Sequence, residues 1–395
     1  MHDLKAVSTL FDLRGDFVHG YSYGSGHIND TYCIWVDQAG QRIRYILQRV
    51  NHNVFKQPIP LMENVKRVTD HALKRLKEEQ CPEAYRRTLT LVPSVDGKPY
   101  ALDSDGNCWR VYPFIERART YDQIETTKQC QEAARAFGEF QKLTADLPGE
   151  PLFETIPNFH NTTSRLAALK EAIQSDPLGR VKEVQKEIDW YLSRESDCHL
   201  VVDYLKSGEL PLRCTHNDTK LNNVMLDDVT GEGICVIDLD TTMPGSAIYD
   251  FGDMIRTATS PAAEDEKDVS KVTMRMFMFE ALVQGYLSSA KSFLTPLEKS
   301  LLPFSGKLLT MECGIRFLTD YLSGDVYFKI HRPEHNLDRC RTQMALVESI
   351  EAQMDEMKAM WTAINQYLPT SEKHEDSRNR RRRIHRFPHC GTLSG

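Results

Sequence analysis

An α+β fold of two lobes, a small antiparallel-sheet lobe followed by a larger helical one, is the architecture that this 395-residue sequence predicts. Residues up to about 112 are dominated by short period-two apolar runs separated by turn residues. From about 120 to 368 the apolar residues recur every three or four positions instead. A hairpin with polar residues at both of its ends interrupts the helical part and marks where chemistry is expected.

The elements follow in order. Phe17 to Tyr23 alternates as a strand, and Gly24, Ser25, Gly26, His27, Ile28 and Asn29 form a small-residue loop. Asp30 to Val36 resumes as a strand, Gln38 to Gln41 turns, and Arg44 to Val50 is a third strand. A helix is expected over 60–80, with Met62, Val65, Val68, Ala72, Leu73 and Leu76 on one face. Thr88 to Val92 and Trp109 to Tyr112 read as further strands of the same sheet, and Pro113 to Glu116 as a connector between lobes. Gln129 to Leu143 and Thr163 to Ser175 have helical spacing. So does Met344 to Tyr367, whose Leu346, Ile350, Met354, Met357, Trp361 and Ile364 read as one packed helix face. Residues 369–395 are polar and without period, with Arg378, Arg380, Arg381, Arg382, Arg383 and Arg386 clustered; a disordered basic tail is expected there.

Composition removes several classes of function. A net charge of −7 leaves no basic field for general nucleic-acid binding. No apolar run approaches the roughly 20 residues of a membrane span, and no apolar stretch follows the first residues as in a signal peptide. The ten cysteines contain no Cys-x-x-Cys pair and read as reduced, buried thiols, so a cytoplasmic location is expected.

The chemistry is concentrated in Thr215-His216-Asn217-Asp218-Thr219-Lys220-Leu221-Asn222-Asn223 and in Val236-Ile237-Asp238. An Asp, an Asn five positions on and a second Asp twenty positions on are the polar skeleton of a phosphoryl-transfer site. His-x-Asp alone occurs by chance, and Asn near Asp often caps a turn. Here Asn223 to Leu226 reads as a loop entering a strand, Asp227 to Gly231 as a turn, and Ile234 to Ile237 as the returning strand. The hairpin therefore returns the second Asp to the first. In this reading Asp218 is the base that takes the proton of an attacking hydroxyl. Asn223 and Asp238 offer oxygen ligands to Mg²⁺ on the phosphates of ATP, and Lys220 neutralises the transferring group. His216 braces the loop by hydrogen bonds.

Asp250-Phe251-Gly252 spells the metal-binding triplet of protein kinases, yet it lies 32 residues after Asp218 and runs into a helix-like stretch. Bracing the loop or capping that helix is the expected role of Asp250, and the metal is assigned to Asp238. Gly24, Ser25, Gly26 and His27, between the first two strands, are placed to bring backbone N–H groups to phosphates. Where a kinase's third strand supplies a cation, this chain has Gln48; either Gln48 bonds the phosphates uncharged, or Arg49 or Lys220 carries the charge. Residues 1–112 are thus expected to be a nucleotide-binding lobe and 113–118 a hinge, with 119–368 the catalytic and substrate-binding lobe.

These residues resemble the aminoglycoside phosphotransferase and choline kinase superfamily, and within it the bacterial N-acetylhexosamine 1-kinases. The marks are Gly24 to Asn29, Tyr45-Ile46-Leu47-Gln48, Thr215 to Asn223 and Ile237 to Thr241. Further marks are Met243 to Ser246 with Asp250 to Asp253, and Leu309 to Gly314 running into Arg316 to Leu322. The resemblance implies ATP-dependent phosphorylation of the anomeric hydroxyl of GlcNAc or GalNAc. It places Arg316 and Tyr327 beside Asp218 in the sugar pocket. The implied partners are a small sugar and ATP, with neither nucleic acid nor membrane. Two other readings stand beside it: a kinase of choline, homoserine or an aminoglycoside, and a kinase-like nucleotide or sugar sensor without turnover.

Overall fold

The protein is described here by a computed structural model covering residues 2–24, 26 and 28–368. Ser25, His27 and the Arg-rich segment 369–395, expected to be a tail, lie outside the described residues.

The N-terminal lobe is an antiparallel sheet of β1 (Asp16–Ser22), β2 (Asp30–Gln38), β3 (Gln41–Arg49), β4 (Ala101–Leu102) and β5 (Cys108–Pro113), in the order β1-β2-β3-β5-β4. Ala39 and Gly40 both have positive φ, 53° and 88°, the requirement of a two-residue hairpin whose twist matches its strands. The two faces of the sheet differ in use. Ile34, Val36, Leu47, Trp109 and Val111 point outward into a small core with Val7, Phe11 and Leu13, which is covered by α1 (Leu4–Ser8). The alternate residues Thr31, Gln48 and Arg110 point the other way, toward the second lobe.

Thr88 to Val92 is a departure from expectation. It lies along β5, and Val92 N–H reaches the Val111 carbonyl at 2.9 Å, but no strand forms. The next residue, Pro93, has no N–H with which to continue a ladder. The helix α2 (Pro58–Glu78) packs between the lobes, and the short α3 (Ala84–Arg87) follows it.

The chain leaves the sheet at Pro113. β6 (Ala118–Arg119) already pairs with the hairpin of the second lobe, made of β8 (Val224–Asp227) and β9 (Gly233–Val236). β7 (Arg213–Thr215) pairs with β10 (Met243–Gly245). Around these strands stand α4 (Thr127–Thr144), α5 (Thr162–Ser175), α6 (Gln185–Leu192), α7 (Glu195–Ser207), α8 (Ala247–Ala258), α9 (Met276–Ala290), α10 (Pro296–Leu322), α11 (His335–Ala352) and α12 (Met354–Tyr367). Both α4 and α10 begin with reciprocal capping boxes, Thr126 with Gln129 and Thr295 with Glu298. Glu298 also receives Arg213 at 2.5 and 2.7 Å, which ties β7 to the long helix. The stripe from Met344 to Tyr367 is two helices, not one. The chain bends at Gln353, whose Nε2 donates to the Met274 carbonyl at 2.9 Å, and the bend brings Trp361 onto Phe251. No described helix is long and apolar enough to cross a membrane.

Candidate active site

Two of the loop's residues have unusual backbone. Asn217 and Asp238 both adopt positive φ, 64° and 58°, which costs a non-glycine residue free energy and persists only where the surroundings hold it. The surroundings are on α8. Both oxygens of Asp250 accept backbone N–H groups of the loop, from His216 at 3.0 Å and Asn217 at 2.7 Å, and Gln141 donates to the same carboxylate at 2.6 Å. Asp253, one turn on, accepts Thr219 N–H at 2.9 Å. Burial pushes the Asp250 carboxyl up, and its donors offset this only in part. Ser246, not Asp250, caps the helix.

The rest of the Asp250-Phe251-Gly252 triplet belongs to the core. Phe251 is fully buried against Phe279, Tyr286 and Trp361. Gly252 lets α10 approach so closely that a Cβ would stand 2.4 Å from the Ser305 carbonyl oxygen. His216 Nε2 donates to the Ile237 carbonyl at 2.9 Å while its Nδ1 accepts Asp218 N–H at 3.3 Å, a pattern that suits the neutral ring. The loop is held from below by α8 and from the side by the hairpin.

Asp218 emerges from this scaffold part-exposed. Its Oδ1 lies 2.8 Å from Lys220 Nζ, and its Oδ2 accepts Asn223 Nδ2 at 3.1 Å. Burial alone would raise the Asp218 carboxyl, but the Lys220 ammonium outweighs it and holds the group below the ordinary carboxylate range. The group is therefore a carboxylate at neutral pH. Asn223 also gives Nδ2 to the Asp218 carbonyl at 2.8 Å; among the described residues its amide oxygen takes no hydrogen bond. Ile237 N–H donates to the Asn223 carbonyl at 2.9 Å, so Asn223 and Asp238 stand side by side at the open end of the hairpin. Asp238 is exposed in the cleft but ringed by protein. That enclosure, and then the charges of Asp240 and Asp218, push its carboxyl up to about 6.

Such crowding of carboxylates is what a divalent cation relieves. Among the described residues no three His, Cys, Asp or Glu side chains are gathered as a metal cage. A carboxylate beside an amide oxygen still fits Mg²⁺, which takes one or two protein ligands and completes its shell with water and phosphate oxygens.

The sheet side of the cleft carries a residue that sequence reasoning missed. Gln48 is not free: its Nε2 donates to Thr31 Oγ1 at 2.9 Å and its Oε1 accepts Arg110 Nε at 3.0 Å. Arg49 points away and pairs with Asp30 at 2.7 Å. Arg110 pairs across the lobes with Asp240 instead. A lone Arg in the apolar run Cys108-Trp109-Arg110-Val111-Tyr112, directly opposite Gln48 in register, was the available signal. Gly24, just past β1, has φ of 85°, and a Cβ on Gly24 or Gly26 would meet nothing within 4 Å among the described residues.

The remaining wall belongs to α10 and the loop after it. Arg316 makes no hydrogen bond or ion pair among the described residues. Its guanidinium faces the rings of Phe159, Tyr327 and Phe328 at 5.3 to 5.7 Å. Tyr327 is 65% exposed, and Asp320 fixes its loop by accepting N–H groups of Val326, Tyr327 and Phe328 at 2.8 to 2.9 Å. Buried Glu312, one turn before Arg316, accepts from His160 Nδ1 at 2.8 Å, and His160 Nε2 donates to the Asn217 carbonyl at 3.1 Å. With Glu312 ionised, both partners of His160 are acceptors, an arrangement that suits the imidazolium. Burial lowers it, but the Glu312 carboxylate more than compensates and raises it above its ordinary value.

A profile of the phosphotransferase enzyme family (APH) matches residues 22–272, well over half of the chain. Among solved structures, the microcompartment-associated aminopropanol kinase is similar at 16% identity and a TM-score of 0.52, over 90% of this chain and 97% of that one. An aminoglycoside phosphotransferase from Alicyclobacillus acidocaldarius has 13% identity and a TM-score of 0.53, over 93% and 97%. Plasmodium vivax ethanolamine kinase has 14% identity and a TM-score of 0.50, over 82% of each chain. At these identities the structural likeness is one of fold, and it agrees with the sheet lobe and helical lobe described above. On the profile match, this chain belongs to the phosphotransferase enzyme family (APH).

Proposed function

We propose that the protein is an ATP- and Mg²⁺-dependent kinase of a small hydroxyl compound, with the anomeric hydroxyl of an N-acetylhexosamine as the acceptor. The observation that carries the kinase reading is Asp218, in the loop leading into the hairpin, with Asp238 where the hairpin returns, near enough for the Asp218 charge to raise it. Lys220 and Asn223 hold Asp218 at both of its oxygens. Asp218 takes the acceptor's O–H proton, and the freed oxygen forms a bond to the γ-phosphorus as the bond to the ADP oxygen breaks. Lys220 faces the transferring group with its charge. Asn223 and Asp238 would hold Mg²⁺, which supplies positive charge to the phosphate oxygens. A hemiacetal hydroxyl is more acidic than a simple alcohol and asks less of the base.

The choice of acceptor rests on the Arg316 wall. The Arg316 guanidinium, unpaired among the described residues, offers donors to hydroxyls and to an acetamido carbonyl, and Tyr327 offers a ring face. Arg165 adds a second guanidinium beside Arg316, and burial followed by that neighbour lowers its pKa. Two cations repel a cationic substrate. The second reading, an amino alcohol or aminoglycoside, takes its support from the relatives: aminopropanol and ethanolamine kinases share the fold.

The test is ADP release from Mg-ATP over GlcNAc, GalNAc, glucose, choline, ethanolamine, homoserine and kanamycin, with products identified by ³¹P NMR. A sugar 1-phosphate is the expected product. Turnover of an amino alcohol or aminoglycoside alone would transfer the reading to the second class. No turnover with any compound would favour a sensor.

A further inference from the structure

Asp240, two residues past Asp238, is 1% exposed, and both of its oxygens are taken by the N-terminal lobe. Oδ1 receives Arg110 and Oδ2 receives Asn29 Nδ2 at 2.6 Å. Arg110 is equally buried, and through Gln48 it is linked to Thr31. Strands β2, β3 and β5 are thereby fastened, on their cleft-facing side, to the segment that carries Asp238. Beside this chain lies an unpaired group: the hydroxyl of Tyr112, on the same strand and face as Arg110, is buried and has no hydrogen-bond partner among the described residues. Unpaired buried hydroxyls are uncommon and call for an explanation.

A buried ion pair is a poor way to gain stability, because desolvation of both charges offsets their attraction. The pair is better understood from what the lobe otherwise lacks. Phosphates in a kinase cleft need a cation from the sheet side. Gln48 has no charge and Arg49 faces elsewhere, so Arg110 is the cation that the strands direct toward Asp240, two residues from Asp238.

We propose that Arg110 is the sheet-side cation of the nucleotide site, transposed from the third strand to the fifth. It acts as a positioning residue through Asp240, and the Tyr112 hydroxyl completes the same corner. This rests on the kinase reading above. Arg110 compensates charge at the Asp238 corner without leaving the core, and Asp240 keeps it from collapsing onto Asp238. Because the same carboxylate joins the two lobes, nucleotide affinity and lobe alignment depend on one pair.

The experiment is calorimetric titration of Mg-ATP into the wild-type chain, Y112F, R110K, the paired apolar replacement R110M/D240L, and that double variant with Q48K added. Thermal midpoints are measured on each. Y112F removes one oxygen from a site without charge change, and is expected to fold normally and bind Mg-ATP about three- to tenfold more weakly. R110M/D240L leaves no unpaired buried charge, so it is expected to fold, with affinity down by about tenfold or more. Restoring a cation on the third strand with Q48K should recover much of that loss, which a merely structural pair would not predict. R110K is expected to fall in between. The proposal is overturned if the folded variants, Y112F included, bind Mg-ATP within about twofold of wild type. A wild-type chain that does not bind Mg-ATP would sink the kinase reading itself, a different result.

Discussion

The loop that carries Asp218 and the Arg316 cluster on α10 are built in opposite ways. In the loop, side chains from α8 hold backbone: Asp250 and Asp253 accept three N–H groups between them, from His216, Asn217 and Thr219. In the wall, Arg316 lies among aromatic rings without a hydrogen-bonded partner among the described residues, and Tyr327 stands largely in solvent. The contrast separates two tasks. Transfer of a phosphoryl group depends on positions fixed before the substrate arrives. Recognition of one acceptor among many depends on donors left free for it.

The largest expected effect lies in the loop. Asp218→Asn keeps the size and the Asn223 contact but cannot accept a proton, so kcat should fall by about 10²–10⁴-fold while Mg-ATP affinity is kept. Retained turnover near wild type would remove Asp218 from the role of base. Next come the two aspartates that the sequence made rivals. Asp238→Ala should weaken Mg-dependent nucleotide binding with little change in thermal midpoint. Asp250→Ala leaves two loop N–H groups and the Gln141 amide without an acceptor, at about 1–3 kcal/mol for each group left buried and unpaired, so the midpoint should drop markedly. Titration and thermal melts on both variants decide the matter; exchanged phenotypes would mean that the metal belongs to Asp250.

In the wall the effects should be smaller and confined to the acceptor. Arg316→Ala should raise the acceptor KM by about ten- to a hundredfold and leave the affinity for Mg-ATP alone, since its contacts are with Phe159, Tyr327 and Phe328. An unchanged KM would break the division of labour drawn here.

The same contrast explains what could be read in the sequence. The loop and hairpin were legible because their polar residues lie within one stretch, Thr215 to Asp238, and the hairpin spacing carries the geometry. The strands β1, β2 and β3 were legible from alternation, and α2 from its stripe. Arg110 was not, because its partner Asp240 is 130 residues away and only the β3–β5 register sets it opposite Gln48. Glu312 and His160, 152 residues apart, are hidden for the same reason. The bend at Gln353 escaped because the heptad-like stripe continues through it, while the hydrogen bond that Gln353 makes to Met274 there is tertiary.

The smallest effect concerns that hidden pair, and it joins the two regions. His160 bridges Glu312 on the wall's helix and Asn217 in the catalytic loop, and both bonds require both ring protons. Its folded pKa is raised above the ordinary 6.5, against the pull of burial, by the Glu312 carboxylate. A raised pKa means that the folded state binds this proton more tightly than the unfolded chain does. The contribution to stability is therefore complete below pH 6.5 and is lost as pH rises through the raised folded value. Melting midpoints taken in steps from pH 6 to pH 9 should show a decline on the alkaline side in wild type that His160→Gln, which carries no titrating ring, reduces. The variant should also lower kcat more than the acceptor KM, because the loop loses its support at Asn217 while Arg316 keeps its surroundings. An identical pH profile for the two proteins would mean that the imidazolium is not what couples the wall to the loop.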